Sequence, residues 1–209
     1  MKLTVVDIQG KETSKSVSLD PKIFGVEPND HAIYLDVKQF LANQRQGTHK
    51  TKQKWEINKS TKKIKKQKGT GTARAGSAKS GTMVGGARMF GPQPRNYSFK
   101  LNKKLKDVAR LSALTYKAKT NSITVIENFT FDKPSTKSFV NVLLSLNLNS
   151  VRTLIVTPTI DKQLLLSSRN YPNTKILPAS DINTYEILKA KNLVVFEESF
   201  KVIEQHYNK

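Results

Sequence analysis

Short apolar runs alternate with helix-like segments through the second half of the chain. The apolar runs are rich in β-branched residues and lie at 122–127, 152–157, 174–177 and 192–196. The intervening segments place apolar residues at helical spacing, as in STKSFVNVLLSL (135–146), DKQLLLSSR (161–169), NTYEILKA (183–190) and SFKVIEQHY (199–207). Strands and helices in regular succession predict a mainly parallel sheet with helices packed on its faces.

The beginning of the chain predicts two more strands and a helix. The strands are KLTVVDI (2–8) and KSVSL (15–19). Residues 29–44 predict a helix capped by Asn29 or Asp30. Its apolar positions at helical spacing are Ile33, Val37, Phe40 and Leu41. A second helix follows residue 100, and the apolar positions predicted for one of its sides are Leu101, Leu105, Val108 and Leu111.

These elements predict an α/β fold with a Rossmann-like three-layer arrangement, in which helices cover both faces of the sheet, and with one long extended internal loop. Apolar periodicity almost vanishes between the two helices. We therefore expect residues 1–42 and 101–209 to form one globular α/β domain. Residues 43–100 would be the loop, because a structureless stretch of that length is either functional or disordered.

The charge of the chain is concentrated in this loop region. Thirty-six Lys and Arg against sixteen Asp and Glu leave a net charge of +20. Residues 43–106 hold eighteen of the basic residues and a single acid, Glu56, so that they carry +17 and the rest of the chain only +3. Such an excess predicts a polyanionic partner, with nucleic acid ahead of an acidic membrane surface.

Composition also predicts that the loop has no self-sufficient structure. Eight of the ten glycines lie within residues 43–106. A segment with so few apolar residues cannot bury enough surface to offset its ordering entropy. Alone, it should be disordered or loosely extended. It is nevertheless held by the predicted domain at both ends, which argues against a mere solvated tail.

Several function classes are disfavoured by composition. The chain has no cysteine, which excludes a disulfide framework and a thiolate metal site. Its first residues, MKLTVVDIQG, do not resemble a secretory leader, and no run approaches eighteen apolar residues. The expectation is a soluble cytoplasmic protein. The three histidines, His31, His49 and His206, form no catalytic or metal-binding motif, so we expect no cofactor, no metal and no catalytic residue.

The stretch KQKGTGTARAGSAKSG (66–81) has the composition of a phosphate-binding loop but not its spacing. A dinucleotide fingerprint needs a third glycine where Arg74 stands, and a buried strand before it. A P-loop needs lysine after its second glycine, where Ser77 follows Gly76. Phosphate contact remains chemically sensible, because glycine lets backbone N–H groups approach an anion closely.

The loop therefore predicts backbone binding to folded RNA. Irregularly spaced Lys and Arg supply charge, and the flat side chains of Trp55, Phe90, Tyr97 and Phe99 could stack on unpaired bases. DNA-binding motifs are not visible. The residues that we expect to bind RNA are Arg45, Lys50, Lys52, Lys54, Lys62, Lys63, Lys65, Lys66, Lys68, Arg74, Lys79, Arg88, Arg95, Tyr97, Lys100, Lys103 and Lys104.

Long motifs carry a specific resemblance. They are VEPNDH (26–31), LANQRQGTHKTK (41–52), QKGTGTARAGS (67–77), GGARMFGPQPRNYSFKLNKK (85–104) and SSRN (167–170). With these motifs the chain resembles, over essentially its whole length, the universal large-subunit ribosomal protein L-four family in its bacterial form.

The resemblance implies a globular α/β domain on the outer part of the large subunit and an internal loop threaded into the 23S rRNA. With protein L-twenty-two, the loop tip would narrow the nascent-peptide exit tunnel, so that the implied partners are the rRNA, other large-subunit proteins and the passing nascent peptide, with no membrane. The implied tunnel-facing tip is Gln67, Lys68, Gly69, Thr70, Gly71, Thr72 and Arg74. The implied returning arm includes Phe90, Gly91, Pro92, Pro94, Arg95 and Tyr97.

The chain departs from the family pattern at two places near the tip. Ile64, Lys65 and Lys66 stand where the family usually has Pro-Trp-Arg, and Thr72 stands where it usually has Arg. These changes remove a stacking ring and one guanidinium, while Lys65 and Lys66 keep the segment cationic.

Together, the residues and the resemblance predict a non-enzymatic structural protein of the large ribosomal subunit that binds its rRNA. Two alternatives remain open at this point. One is a regulatory protein that acts on the messenger leader of its own operon. The more distant one is a nucleotide-dependent α/β enzyme.

Overall fold

The computed structural model describes residues 1–207, which divide into two compact units. The α/β unit comprises Met1–Phe40 and the chain from Lys100 onward. The second unit is Leu41–Phe99, called the basic segment below.

A six-stranded sheet organises the α/β unit. Its strands are β1 (Lys2–Val6), β2 (Glu12–Ser18), β3 (Ile123–Ile126), β4 (Thr153–Thr157), β5 (Thr174–Pro178) and β6 (Asn192–Phe196). They lie in the order β2-β1-β3-β6-β4-β5, and every neighbouring pair is parallel except the hairpin β1–β2. The predicted α/β class with a mainly parallel sheet is confirmed.

Seven α-helices connect or follow these strands in the described chain. They are α1 (Pro21–Phe24), α2 (Asp30–Asn43), α3 (Lys103–Lys119), α4 (Thr136–Ser145), α5 (Lys162–Ser168), α6 (Thr184–Lys189) and α7 (Glu197–Tyr207). Within residues 1–207, no helix combines the length and the apolar character needed to cross a membrane.

The sheet has a hydrophobic core on each face, because successive side chains of a strand point to opposite sides. On β4, Leu154 and Val156 belong to one core, and Ile155 belongs to the other. The first core includes apolar side chains of α1, α3, α6 and α7, and the second includes those of α4 and α5. Helices therefore pack on both faces of the sheet.

Side-chain caps begin several of the helices. Ser135 accepts a hydrogen bond from the Ser138 N–H at the start of α4, and Asp161 accepts one from the Gln163 N–H at the start of α5. Such caps satisfy N–H groups that have no partner inside the helix.

Helix α2 is capped as predicted, but its buried positions differ from the predicted ones. The Asn29 side chain accepts a hydrogen bond from the Ala32 N–H at 2.9 Å. Ala32 and Gln39 are the buried residues of the helix, while Leu41 is 44% exposed. The other apolar residues at helical spacing, Ile33, Val37 and Phe40, are half-buried, so that Leu41 alone of the four is exposed.

The predicted apolar side of α3 was right only in part, because Leu111 packs against the first core but Leu101 lies before the helix. Its buried face is made of small and hydroxyl-bearing residues with one leucine, while Val108 is 38% exposed. Small side chains allow close approach of neighbouring backbone. The Ser112 hydroxyl accepts from the Asn29 N–H at 3.0 Å, and the Thr115 hydroxyl donates to the Ile23 carbonyl at 3.5 Å. Helical periodicity of large apolar residues does not detect such a face.

Removing residues 55–95 should leave the α/β unit folded, because every residue of its two cores lies outside that range. We expect the shortened protein to keep a single cooperative thermal transition and its helical circular dichroism. A molten product would show that the basic segment belongs to the core.

A core substitution supplies the control for this deletion. Leu114 is 1% exposed and packs in the first core. Leu114→Ala should lower the free energy of unfolding by about 2–5 kcal/mol in both the complete and the shortened protein. Equal losses in the two backgrounds would show that the core is the same.

Candidate nucleic-acid interface

The basic segment has almost no apolar interior. Beyond the end of α2 at Asn43, residues 44–99 form no helix and no strand. Ala87 is its one buried hydrophobic residue, and neither core cluster includes any of its residues. Hydrophobic burial therefore does not hold this segment in its conformation.

Backbone hydrogen bonds pair an outgoing arm with a returning arm. In each bond the N–H group of one arm donates to a carbonyl oxygen of the other arm, at N···O distances of 3.0–3.2 Å. The donor and acceptor residues are Arg95 and Gly47, Thr51 and Pro92, Arg88 and Lys52, and Ile64 and Gly76. Four spaced hydrogen bonds of this kind contribute only about 1 kcal/mol each in water. They define a path for the chain but not a stable core.

The tip of the segment lies beyond an isolated antiparallel bridge between Lys63 and Ser77. Within it, Gly69 and Gly71 have φ angles of +80° and +62°, a region that glycine adopts without strain. The Lys65 ammonium donates to the Thr72 hydroxyl at 2.7 Å. The glycines thus turn the chain between two irregular arms, not between a strand and a helix as a nucleotide-binding loop requires.

The predicted RNA-binding cations point into solvent. All the lysines and arginines predicted to bind RNA are exposed except Lys65 and Lys79, which are half-buried. Lys50 forms an ion pair with Glu56, whose pKa is lowered by the hydrogen bond from Lys50. Most of the charge of the segment therefore has no acidic partner within it.

Tyr97 gathers two of these cations near the base of the arms. The guanidinium carbons of Arg45 and Arg95 lie 3.7 Å and 4.4 Å from the centre of its ring. Its hydroxyl is 3.2 Å from Nε2 of His49. The hydrogen bond with Arg95 lowers the pKa of the Tyr97 hydroxyl. Tyr97 therefore orients two guanidinium groups. The sequence predicted that its ring could stack on a base but did not predict these contacts.

Gly47 makes this arrangement possible. Its φ is +69°, and a Cβ at this position would lie 2.1 Å from the Arg95 carbonyl oxygen and 3.0 Å from the Tyr97 ring. Any larger residue would separate the two arms or displace the ring.

Two aromatic side chains remain open for stacking. Trp55 is 74% exposed, and Phe90, which has a φ of +51°, is fully exposed. Both line a cleft of about 600 Å³, together with Arg88, Met89 and Lys54. Flat rings beside cations in an open cleft have the chemistry that stacks an unpaired base.

Lys59 is a structural residue that the sequence prediction missed. Its ammonium donates to the Val84 carbonyl at 3.0 Å, next to the turn at Gly85. In a lysine-rich stretch, the sequence does not indicate which lysine forms a hydrogen bond with the other arm. The paired glycines at 85–86, which mark a turn, were the available clue.

In the α/β unit, the predicted cations Lys103 and Lys104 begin α3, and Lys100 lies three residues before it. The first turn of this helix contains no acid, and its cap residue Asn102 makes no side-chain cap bond. The N-terminal end of a helix dipole is positive, so its interaction with lysines there is unfavourable, whereas its interaction with a phosphate is favourable. This arrangement favours an anionic partner.

The two units together define a class of protein: an RNA-binding protein with a folded α/β unit and a cationic segment without a core. The chain belongs to the Ribosomal protein L4/L1 family, whose sequence pattern matches residues 17–206. The resemblance seen in the motifs is thereby confirmed.

Curated relatives match over nearly the whole chain. The chain is 56% identical to the large ribosomal subunit protein uL4 of Christiangramia forsetii, with 98% of each chain covered. It is 55% identical to that of Porphyromonas gingivalis over 98% of each chain. It is 54% identical to that of Amoebophilus asiaticus, covering all of this chain and 99% of the relative.

Gly47→Ala should weaken binding to folded ribosomal RNA by about tenfold, because a left-handed conformation costs other residues about 1–2 kcal/mol. Filter binding at fixed salt measures this change. Gly76→Ala is the matched control, since Gly76 has an ordinary φ and open space around it. We expect Gly76→Ala to change the affinity less than about twofold. Equal losses of affinity for both variants would contradict a role for the 47–95 contact, the hydrogen bond from the Arg95 N–H to the Gly47 carbonyl.

Proposed function

We propose that this chain is a structural constituent of the large ribosomal subunit, where it binds the 23S rRNA mainly through the basic segment. Its family and its relatives support a ribosomal protein rather than an enzyme, associated with other large-subunit proteins in the cytoplasm. The observation that carries the role of the segment is its mostly exposed positive charge, nearly all of it without an acidic partner in the segment, together with the lack of an apolar core.

Charge neutralisation is the proposed mechanism. Lysines and arginines of the arms displace counterions from closely packed phosphates, and the release of those ions supplies the free energy of binding. The same contacts offset the entropy lost when the segment becomes fixed. Trp55 and Phe90 add stacking on unpaired bases, while Lys103 and Lys104 hold phosphate at the start of α3.

The finer placement follows the family resemblance. We propose that residues 43–100 act as an extended loop, attached to a Rossmann-like three-layer domain of residues 1–42 and 101–209. Its tip, Gln67 to Arg74, would line the peptide exit tunnel with protein L-twenty-two and face the nascent peptide. The turn at Gly69 and Gly71 supports a compact tip.

The departures at the tip compensate one another. Thr72 replaces the usual arginine, and its hydroxyl accepts a hydrogen bond from Lys65, which lies in the stretch that replaces Pro-Trp-Arg. Ile64, in that same stretch, is 48% exposed. We propose that this lysine and threonine pair holds the tip while its neighbours Lys66 and Lys68 contact phosphate.

Binding to the rRNA should depend strongly on salt. If about ten phosphates are contacted, the slope of log K against log salt should lie near −7 to −9. Filter binding or fluorescence titration between low and moderate salt measures it. A slope near zero would exclude charge neutralisation as the source of affinity.

Two lysines of the basic segment test where this slope originates. Lys62 and Lys66 are exposed and lie near the tip. Changing both to Ala should reduce the size of the slope by about 1.4 to 1.8, because two phosphate contacts are lost. The control changes Lys137 and Lys201, exposed lysines of the α/β unit, to Ala. An equal reduction in the control would mean that overall charge, not this segment, sets the affinity.

A further inference from the structure

Lysines and an arginine gather at the edge of the sheet where four neighbouring strands begin. The strands β3, β6, β4 and β5 are parallel, so their amino ends share this edge. Arg152 directly precedes β4, and Lys191 directly precedes β6. Lys189 ends α6, and Lys117 and Lys119 lie in the last turn of α3, which leads into β3. These five residues are called the amino-edge cluster below.

Hydrogen bonds to the backbone hold the amino-edge cluster together. The Lys191 N–H donates to the Arg152 carbonyl at 2.7 Å. The Lys117 ammonium donates to the Ala190 carbonyl at 2.6 Å and to the Lys191 carbonyl at 3.3 Å. Arg152 and Lys189 line the same cavity, of about 170 Å³. The ends of α3 and α6 therefore meet the starts of β4 and β6 at one place.

Little acidic charge balances the amino-edge cluster. Glu186 is the one acid among the described residues that line the cavity, and Oε1 of its carboxylate is 2.5 Å from the Lys175 ammonium. Within residues 1–207, no member of the cluster forms an ion pair. Lys117 is half-buried, and the other four members are exposed. Four positive charges therefore face solvent at this edge.

The carboxyl edge of the sheet does not repeat this pattern. An acid directly follows each of β1, β3 and β6, at Asp7, Glu127 and Glu197. The near balance of charge outside residues 43–106, with eighteen basic residues against fifteen acidic ones, therefore conceals two edges of unlike composition. A surface that only kept the protein in solution would mix both signs. The positive charge of the α/β unit thus has a direction.

Interaction with helix dipoles explains only part of the amino-edge cluster. Cations near the C-terminal end of a helix are stabilising, which accounts for Lys117, Lys119 and Lys189. Arg152 and Lys191 precede strands, and sheets have only small net dipoles. Neither of these two residues forms an ion pair in the described part of the chain. The stability of the fold therefore gives no reason for a cation at either position.

The extent of the cluster fits a chain of phosphates better than a single anion. Its members belong to the starts of three neighbouring strands, which lie about 4.8 Å apart, so that they extend over about 10 Å along the edge. A nucleic-acid duplex presents one negative charge about every 1.7 Å of its axis, and several phosphates match that length. Asn121, exposed between α3 and β3, adds an amide that can also donate to a phosphate oxygen.

We propose that the amino-edge cluster is a second RNA-binding site of this chain, which takes the phosphate backbone of a folded RNA. Arg152, Lys189 and Lys191 contact the phosphates, and Lys117 positions Lys191 through its hydrogen bonds to the backbone. The cluster by itself selects a polyanion. The choice of RNA rests on the proposed function.

This site is separate from the cations at the start of α3. Lys103 begins the helix, and Lys119 ends it. Seventeen residues of helix span about 25 Å, so that the two ends of α3 meet different segments of an RNA. The α/β unit then contributes two contacts with RNA, in addition to those of the basic segment.

The first experiment removes three charges of the cluster from the full-length protein. Arg152→Gln, Lys189→Gln and Lys191→Gln are combined, and the salt dependence of binding to a 23S rRNA transcript is measured by filter binding. The slope of log K against log salt should lose about 2 to 3 of its size, because three phosphate contacts disappear. A slope equal to that of the wild type would overturn the proposal.

A matched variant removes three charges elsewhere on the same unit. It combines Lys137→Gln, Lys162→Gln and Lys201→Gln, which change exposed lysines outside the cluster. Its net charge equals that of the first variant, so an effect of overall charge would be the same in both. We expect the matched variant to keep the wild-type slope. An equal loss of slope in both variants would contradict a local site.

Crosslinking tests the site with every cation in place. A photo-crosslinking amino acid replaces Ser150, which is exposed two residues before Arg152, or Thr159, which is exposed beyond the other end of β4. On the 23S rRNA transcript, position 150 should give severalfold more crosslinks to RNA than position 159. Equal yields from the two positions would overturn the proposal. This comparison also decides the question if the charge variants unfold at a lower temperature than the wild type.

Vesicles that contain phosphatidylserine test an acidic membrane surface as the other polyanion. The wild type and the first variant should co-sediment with such vesicles to the same extent. If the three changes abolish vesicle binding but leave the slope for RNA unchanged, the cluster binds a membrane and the proposal is wrong.

The same measurements separate this proposal from the proposed function. The slope of the wild type tests the proposed function, and the difference between the wild type and the first variant tests this site. If the wild-type slope is steep and the three changes leave it intact, this proposal alone fails. If the wild-type slope is near zero, the proposed function fails, and the crosslinks from position 150 then decide whether RNA reaches the cluster.

Discussion

In the proposed function, attraction between an uncompensated run of cationic side chains and the phosphates of RNA is the interaction on which the basic segment depends. From Ile57 to Lys106 the sequence holds no carboxylate, so no acid of that stretch can replace the phosphate. The two cores of the α/β unit contain no residue of the basic segment. Turns at glycine and a few backbone hydrogen bonds define its conformation in the structure, and we propose that the surrounding RNA fixes it.

The α/β unit follows the opposite principle. Its parallel strands are buried on both faces, and each face packs against helices with caps supplied by nearby side chains. Such a unit is expected to fold without RNA, and it includes the start of α3 with Lys103 and Lys104. One chain thus combines a part with two apolar cores and a part that has almost no apolar interior.

The six strands and the longer helices were predictable, because β-branched runs and helical spacing report burial directly. The buried face of α3 was not predictable from spacing. Ser112 and Thr115 are buried because they form hydrogen bonds with Asn29 and with Ile23 of α1, and not because their side chains are large and apolar. In the basic segment, composition and motif resemblance predicted the candidate residues. The pairing of Tyr97 with Arg45 and Arg95, and the role of Lys59, depend on how the arms return, which spacing along a sequence does not encode.

Hydrogen exchange of the backbone amides tests the central claim most directly. In the free protein, amides of residues 44–99 should exchange at nearly unprotected rates, while those of β4 and β6 remain protected. After binding to ribosomal RNA, the segment should become protected, with the largest change around the tip and the 47–95 contact. Strong protection of the segment before any RNA is added would show that it folds by itself and would contradict the account.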